Sequence, residues 1–71
     1  MMKVKVLIEG RSNEMDLPGD ISLMGLLDRL GLVREAYWVA RNRTMLRKTE
    51  YDKVLLVQGD TVEIFRVMSG G

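Results

Sequence analysis

The residues of this chain best suited to chemistry are its last three, Ser69-Gly70-Gly71. They follow a β-type run of alternating residues, Thr61 to Val67, which begins after the turn dipeptide Gly59-Asp60. Because two glycines add no side chain, the sequence predicts a thin and unhindered Gly71 carboxylate. Taken alone, a glycine-rich end is also typical of a frayed terminus. The pattern predicts an anchored strand that presents a flexible tail, residues 69–71.

Elsewhere the chain lacks the usual groups of an enzyme. It contains no cysteine and no histidine, so it has no thiol nucleophile, no imidazole base and no histidine to activate its serines. Glu14, Asp16 and Asp20 lack the full ligand set of a calcium loop, and we expect no metal site. The sequence therefore predicts no catalytic residues and no cofactor bound by the chain itself. Its part in a reaction would be that of a substrate or carrier.

Composition indicates one domain, residues 1–71, of an ordinary globular type with 46% hydrophobic and 30% charged residues. A net charge of +1 argues against direct nucleic-acid binding through phosphates. No apolar run is long enough for a membrane span, and Met1 to Lys5 does not resemble a signal peptide. The absence of cysteine agrees with a reducing compartment, so we expect a cytoplasmic protein.

The first half of the chain predicts a hairpin and one helix. Lys3–Glu9 alternates as a strand, Gly10–Asn13 supplies turn residues, and Glu14–Leu17 reads as the return strand. The helix is predicted over Ser22–Leu30, with Ser22 as its cap, Ile21 packing onto Leu26, and Gly31 as a left-handed stop. Its buried face has the spacing of four leucines, Leu23, Leu26, Leu27 and Leu30. Gly25 has no sequence-level explanation.

The second half predicts further strands. Tyr37–Arg41 reads as a strand, Asn42-Arg43 as its turn, and Thr44–Leu46 as a short edge strand. Residues 47–53 are polar, and we expect irregular chain there with at most one helical turn. Residues 54–57 are too short to assign by period, and buried irregular chain beneath the sheet is one reading of them.

These elements predict an α+β fold of the β-grasp type, a single mixed sheet of four to five strands packed on one main helix. The first and last strands are the most apolar and are expected to lie parallel at the centre, with a right-handed crossover. The inner face is expected to carry Val4, Val6, Ile8, Val39, Val62 and Ile64, which meet the four leucines of the helix.

The opposite face of the sheet is predicted to bind a partner protein. Alternation places Phe65, Leu7, Trp38 and Ala40 there, as an apolar cluster on an open sheet. Scattered surface residues, or a Trp38 that tucks into a second core, are the alternatives. Arg66 and Met68, next to the tail, are further candidates for partner contact, although Arg66 also fits a simple solvated charge.

The combination resembles the ubiquitin-like sulfur carriers, of the ThiS and MoaD type, over nearly the whole chain. The resemblance rests on Leu17-Pro18 before the Ser22–Leu32 segment, on Val39-Ala40-Arg41-Asn42, and on Gly59-Asp60-Thr61-Val62-Glu63-Ile64 leading to Gly70-Gly71. Two positions depart from the usual pattern. Arg43 stands where the family turns with glycine after asparagine, and Gly25 replaces a helix former.

The resemblance implies a two-step activation of Gly71, with Gly70 and Ser69 threading into the partner. A ubiquitin-activating-type adenylyltransferase would adenylate the carboxylate with its own ATP and magnesium, and a thiocarboxylate would follow. That group would donate sulfur to an acceptor synthase or thiolase in thiamine thiazole synthesis, molybdopterin synthesis or tRNA thiolation. The chain alone would be a monomer. Two rivals stay open: a protein modifier joined to lysines through Gly71, and a β-grasp binding module with an inert tail.

Overall fold

A mixed sheet with a parallel central pair of strands organises the molecule. The computed structural model of the chain describes residues 1–67. Within them the strands are β1 (Met2–Ile8), β2 (Arg11–Leu17), β3 (Tyr37–Arg41), β4 (Thr44–Met45) and β5 (Thr61–Arg66). The spatial order is β2-β1-β5-β3-β4, with β1 and β5 parallel and the other neighbours antiparallel. The predicted β-grasp arrangement and its central parallel pair are confirmed.

One α-helix, α1 (Leu23–Leu30), covers the inner face of this sheet. Ser22 caps it as predicted, since its Oγ accepts the N–H of Gly25 at 3.0 Å. Gly31 ends it with a φ of +72°, a left-handed conformation that glycine adopts without a steric penalty. Three of the four predicted leucines are fully buried, and Leu30 packs against the core as a partly buried residue.

The core lies between α1 and the inner face of the sheet. Among the residues predicted for that face, Ile8 is only partly buried, while the other five are nearly inaccessible. The sequence-based prediction missed Tyr51, which is 0% exposed and has the largest side chain among the fully buried residues. A single aromatic residue in a polar segment gives no periodic signal, and its burial was therefore not expected.

The turn between β1 and β2 is shorter than predicted. It consists of Glu9 and Gly10, with φ values of +50° and +81°, so β2 begins at Arg11 rather than at Glu14. Two successive left-handed residues match the twist of a two-residue hairpin turn. Arg11 to Asn13 was assigned to the turn because its side chains are polar, yet an edge strand pairs through its backbone and tolerates polar side chains on both faces.

The segment after β4 forms part of the support for α1. It contains a 3-10 turn, Lys48–Glu50, and then runs beneath the helix start. The free N–H groups of Leu23 and Met24 donate to the carbonyls of Val54 and Tyr51, each at 2.8 Å. Residues 54–57 were considered as buried irregular chain, and only Leu56 among them is fully buried. Leu55 and Val57 are 55% and 52% exposed.

Gly25 is explained by the residue before the helix cap. A Cβ built on Gly25 would lie 2.9 Å from Cγ1 of Ile21, closer than real Cβ contacts come. The buried Ile21 side chain therefore lies directly over the helix backbone at this position. The glycine allows this close approach, which outweighs its poor helix propensity.

No helix within residues 1–67 has both the length and the apolar character needed to cross a membrane.

Candidate functional site

The strand that leads to the carboxyl end, β5, is fixed at its start by the buried side chain of Asp60. The Asp60 residue is 3% exposed. Its carboxylate accepts from Arg41 Nε at 2.9 Å, from Asn42 Nδ2 at 3.0 Å and from the Val57 N–H at 2.9 Å. The end of β3 and the loop before β5 are therefore joined through one carboxylate.

This setting lowers the pKa of the Asp60 carboxyl. Burial by itself would raise that pKa, but the hydrogen bonds from Val57 and Asn42 and the charge of Arg41 outweigh it. Asp60 is therefore an ionised, structural group at neutral pH, with all its nearby donors engaged.

Replacing Asp60 by asparagine is expected to lower the free energy of unfolding by about 2 kcal/mol at neutral pH, because the bonds to a charged acceptor are lost. The folded state holds this pKa below the ordinary value of 3.8, so the unfolded chain takes up the proton first as pH falls. The stabilisation is thus complete above the ordinary pKa and disappears as pH falls through the lower, folded-state pKa.

Urea unfolding of wild type and Asp60→Asn, from neutral pH down to about pH 3, checks this expectation. The difference between the two proteins should shrink towards the acid end. Asp52→Asn serves as the matched control, since Asp52 is exposed and makes no hydrogen bond to residues 1–67 through its side chain. A difference that is constant with pH would contradict the assignment.

The turn from β3 to β4 adds a second connection to the start of β5. Asn42 Oδ1 accepts the Thr61 N–H at 2.9 Å, and the Asn42 N–H donates to the Thr61 carbonyl at 2.7 Å. The turn residues Asn42 and Arg43 have φ values of +50° and +71°, as the predicted two-residue turn requires. Arg43 therefore occupies a left-handed position that glycine would adopt more easily.

At its other end, β5 is fixed by a backbone hydrogen bond one residue beyond the strand. The Val67 N–H donates to the carbonyl of Ala36 at 2.8 Å. Val67 is the last residue that the structure describes. The predicted site residues Met68, Ser69, Gly70 and Gly71 lie outside the described residues, and so does the predicted tail at 69–71.

The outer face of the sheet, which is the face turned away from α1, carries an aromatic pair at the end nearest the carboxyl terminus. Trp38 on β3 lies directly opposite Phe65 on β5. Both are exposed, Trp38 at 44% and Phe65 at 45%. Leu7 lies on the same face of β1 and is partly buried. We call Leu7, Trp38 and Phe65 the docking patch.

Ala40 was predicted to share this surface, and the structure corrects that prediction. It lies on the outer face opposite Glu63, but only 4% of it is exposed, because its short side chain is covered by its neighbours. Met45, which pairs with Ala40 from β4, is 54% exposed and extends the apolar surface instead. The place of Met45 on the outer face follows from the β3–β4 register, which could not be predicted from the sequence.

Arg66 does not belong to the docking patch. Side chains alternate along a strand, so Arg66 lies on the face opposite to Phe65 and pairs with Tyr37. It is exposed, and its guanidinium makes no ion pair with residues 1–67. Arg66 was predicted as a partner contact from its place next to the tail, and that contact stays a prediction.

An open depression of about 650 Å³ lies at the other end of the outer face. Its lining is mixed in charge, with Lys5, Leu7, Asn42, Arg43, Thr61 and Glu63. Neither this lining nor any other part of residues 1–67 groups three potential metal ligands of the carboxylate, thiol or imidazole type. The surface is thus suited to contact with another protein more than to the enclosure of a small molecule.

Comparison with known proteins gives one family. The profile of the ThiS family matches residues 4–71. A search of curated proteins gives no match.

Solved structures agree in fold. The chain is similar to the crystal structure of a thiamine biosynthesis protein (ThiS) from Geobacter metallireducens, with 25% identity and a TM-score of 0.71, covering 94% of this chain and 99% of that one. The solution structure of a thiamine biosynthesis protein from the same organism also has 25% identity, with a TM-score of 0.69 and coverages of 94% and 87%. A ubiquitin from Caldiarchaeum subterraneum is 18% identical, with a TM-score of 0.61 and coverages of 99% and 98%, and shows likeness of fold alone.

Proposed function

The chain belongs to the ThiS family, and from that membership we propose that it is a sulfur carrier of thiamine thiazole biosynthesis whose reactive group is the carboxylate of Gly71. It acts as a substrate for other proteins in the cytoplasm and supplies no catalytic residue. Molybdopterin synthesis and tRNA thiolation are the alternative destinations for the sulfur.

The observation that carries the proposal is the anchoring of β5 at both ends. Asp60 fixes its start, and the bond between Val67 and Ala36 fixes its end. Four residues, Met68 to Gly71, follow that last anchor, and two of them are glycines. A rigid strand followed by a short segment that ends in two glycines suits a carboxylate that must enter the active site of another protein.

The chemistry conserves atoms in two steps. In the first, a carboxylate oxygen of Gly71 attacks the α-phosphorus of ATP, pyrophosphate leaves, and an acyl-adenylate forms. In the second, a persulfide of the partner system attacks the acyl carbon and AMP leaves, which gives an acyl disulfide. A second thiol of the partner system then attacks the donor sulfur, so that the S–S bond breaks, the thiocarboxylate is released and the two thiols of the partner system are left as a disulfide. ATP and magnesium belong to a ubiquitin-activating-type adenylyltransferase. The thiocarboxylate then serves a sulfur-acceptor synthase or thiolase.

Intact-mass analysis of protein isolated from its native cells tests this function. A fraction of the chains should end at Gly71 and be heavier by the difference between one sulfur and one oxygen atom. Branched peptides that join Gly71 to lysines of other proteins would favour the protein modifier instead. If native chains carry neither change, during growth without thiamine as well, the reactive-tail proposal is overturned.

The docking patch is proposed to bind the adenylyltransferase, and Phe65 provides the test. Asp in place of Phe65 would put a charge into an interface that must lose water, so the KM for the carrier should rise at least tenfold. ATP–pyrophosphate exchange, measured against carrier concentration, gives that KM. Leu55→Asp is the matched control, because Leu55 is also exposed but lies beside Ser22 and not on the outer face. An equal rise in both variants would count against a specific patch.

A further inference from the structure

The position from which the tail departs depends on a short turn that has little stability of its own. The Val67 N–H donates to the carbonyl of Ala36 at 2.8 Å. Ala36 ends a 3-10 turn of three residues, Arg34–Ala36, which makes only two local bonds, from the Ala36 N–H to the Val33 carbonyl at 3.1 Å and from the Tyr37 N–H to the Arg34 carbonyl. Turns of this type have poor hydrogen-bond geometry. The anchor of Val67 therefore needs support from outside the turn.

The ion pair within the turn does not supply that support. Arg34 Nη2 lies 3.3 Å from Glu35 Oε2, but the two residues are neighbours in sequence and their side chains are 40% and 75% exposed. Ion pairs of this exposed type contribute little to stability. The turn has no fully buried residue, since Arg34 and Ala36 are only partly buried and Glu35 is exposed, so packing adds little to its stability.

Lys48 supplies a contact from another part of the chain. Its ammonium donates to the backbone carbonyl of Glu35 at 3.0 Å, and the same nitrogen lies 4.4 Å from the centre of the Trp38 ring. A charged donor makes a stronger bond than a neutral one, and the indole face attracts a cation. The two contacts together hold the ammonium between the turn and β3.

Hydrogen bonds fix the backbone segment that carries Lys48. Lys48 begins the 3-10 turn that ends next to the buried Tyr51. In that turn the Glu50 carboxylate accepts the Arg47 N–H at 3.1 Å, and the Glu50 N–H donates to the Arg47 carbonyl at 2.8 Å. The long lysine side chain thus connects the hydrogen-bonded segment before the buried Tyr51 to the turn that holds Val67.

We propose that Lys48 is a positioning residue for the strand end that precedes the tail: through the Glu35 carbonyl it holds turn 34–36, so that the Ala36 carbonyl keeps Val67 in a fixed place. The inference rests on the proposed carrier function for its purpose, while its structural content concerns only residues 34–67.

Amide hydrogen exchange of the full-length protein, followed by NMR, tests the structural part. Lys48→Met keeps the aliphatic stem but removes the charged donor, and exchange at the Val67 amide should become about fivefold to tenfold faster. Exchange at Ile64, in the middle of β5, should not change. Lys48→Arg keeps both contacts and should restore the wild-type rate. Lys53→Met is the matched control, an exposed lysine close by without these contacts. An unchanged rate at Val67 in Lys48→Met would overturn the proposal.

Adenylation kinetics test the purpose. With a purified ubiquitin-activating-type adenylyltransferase from the source cells, Lys48→Met should lower kcat several-fold and change the KM for the carrier less than kcat, although Lys48 also contacts Trp38 of the docking patch. A raised KM with unchanged kcat would make Lys48 a docking residue and overturn the positioning role. If the wild-type chain is not adenylated at all while Val67 exchange still responds to Lys48→Met, the carrier function fails and the support of the turn stands.

Discussion

Deletion of Gly71 is expected to lower adenylation of the chain by more than a hundredfold. One residue spans up to about 3.6 Å, so the deletion withdraws the carboxylate by a distance of that order from the α-phosphate of ATP. A displacement of about 1 Å is enough to lower such rates a hundredfold. The chain cannot compensate by sliding, because β5 is held at Asp60 and at Val67. ATP–pyrophosphate exchange measures the effect.

Two comparisons make this test specific. Ser69→Ala preserves the length of the chain and should remain a good substrate. The urea midpoint of the truncated protein should equal that of the full-length chain, which shows that the loss is not one of folding. Exchange activity that persists in the truncated chain would mean that the carboxylate of Gly71 is not the reactive group, and the carrier proposal would then be lost.

Replacement of Tyr51 by alanine is expected to remove a large part of the stability of the domain. Loss of a fully buried aromatic side chain lowers the free energy of unfolding by about 3–5 kcal/mol, which is a large part of the total for a domain of 71 residues. The side chain also has a polar task. Its hydroxyl accepts the Val39 N–H at 3.1 Å and donates to the Tyr37 carbonyl at 3.4 Å, at the edge of β3 where β4 does not reach.

Tyr51→Phe separates packing from hydrogen bonding. Burial raises the pKa of the Tyr51 phenol, against the effect of the Val39 N–H, so the hydroxyl stays neutral and can both accept and donate. Its removal leaves the buried Val39 N–H without an acceptor, which lowers the free energy of unfolding by about 1–3 kcal/mol. Urea unfolding gives both values. Tyr37→Phe, whose hydroxyl makes no bond within residues 1–67, should change stability by less than about 0.5 kcal/mol. Equal effects at both tyrosines would refute the role given to the Tyr51 hydroxyl.

The elements that the sequence predicts well are those with a strong period or a strong terminal signal. Alternation in β1 and β5 identified the central pair, and the spacing of the leucines with Ser22 and Gly31 identified the helix within one residue. Arg11 to Asn13 was missed because pairing of an edge strand needs only its backbone. Tyr51 was missed because its burial results from contacts with residues that are distant in sequence.

The candidate site divides in the same way. Phe65 and Trp38 were placed on the outer face by alternation, and their exposure agrees with that placement. The burial of Ala40 depends on its neighbours across the sheet, which one strand alone does not show. The role of Lys48 joins three segments that are separated in sequence. The position of Arg66 on the face opposite to Phe65 follows directly from the alternation of β5, so it was available from the sequence.

The central position of β5 also has a mechanical consequence. Neighbours lie on both its sides, β1 parallel and β3 antiparallel. A force applied at the carboxyl end acts along the axis of this strand, while the hydrogen bonds of the antiparallel ladder run across that axis. Under such shear, the hydrogen bonds on both sides of β5 must break together. An edge strand that is peeled away loses its bonds one after another instead. The fold is therefore expected to resist unfolding when force is applied to its carboxyl end.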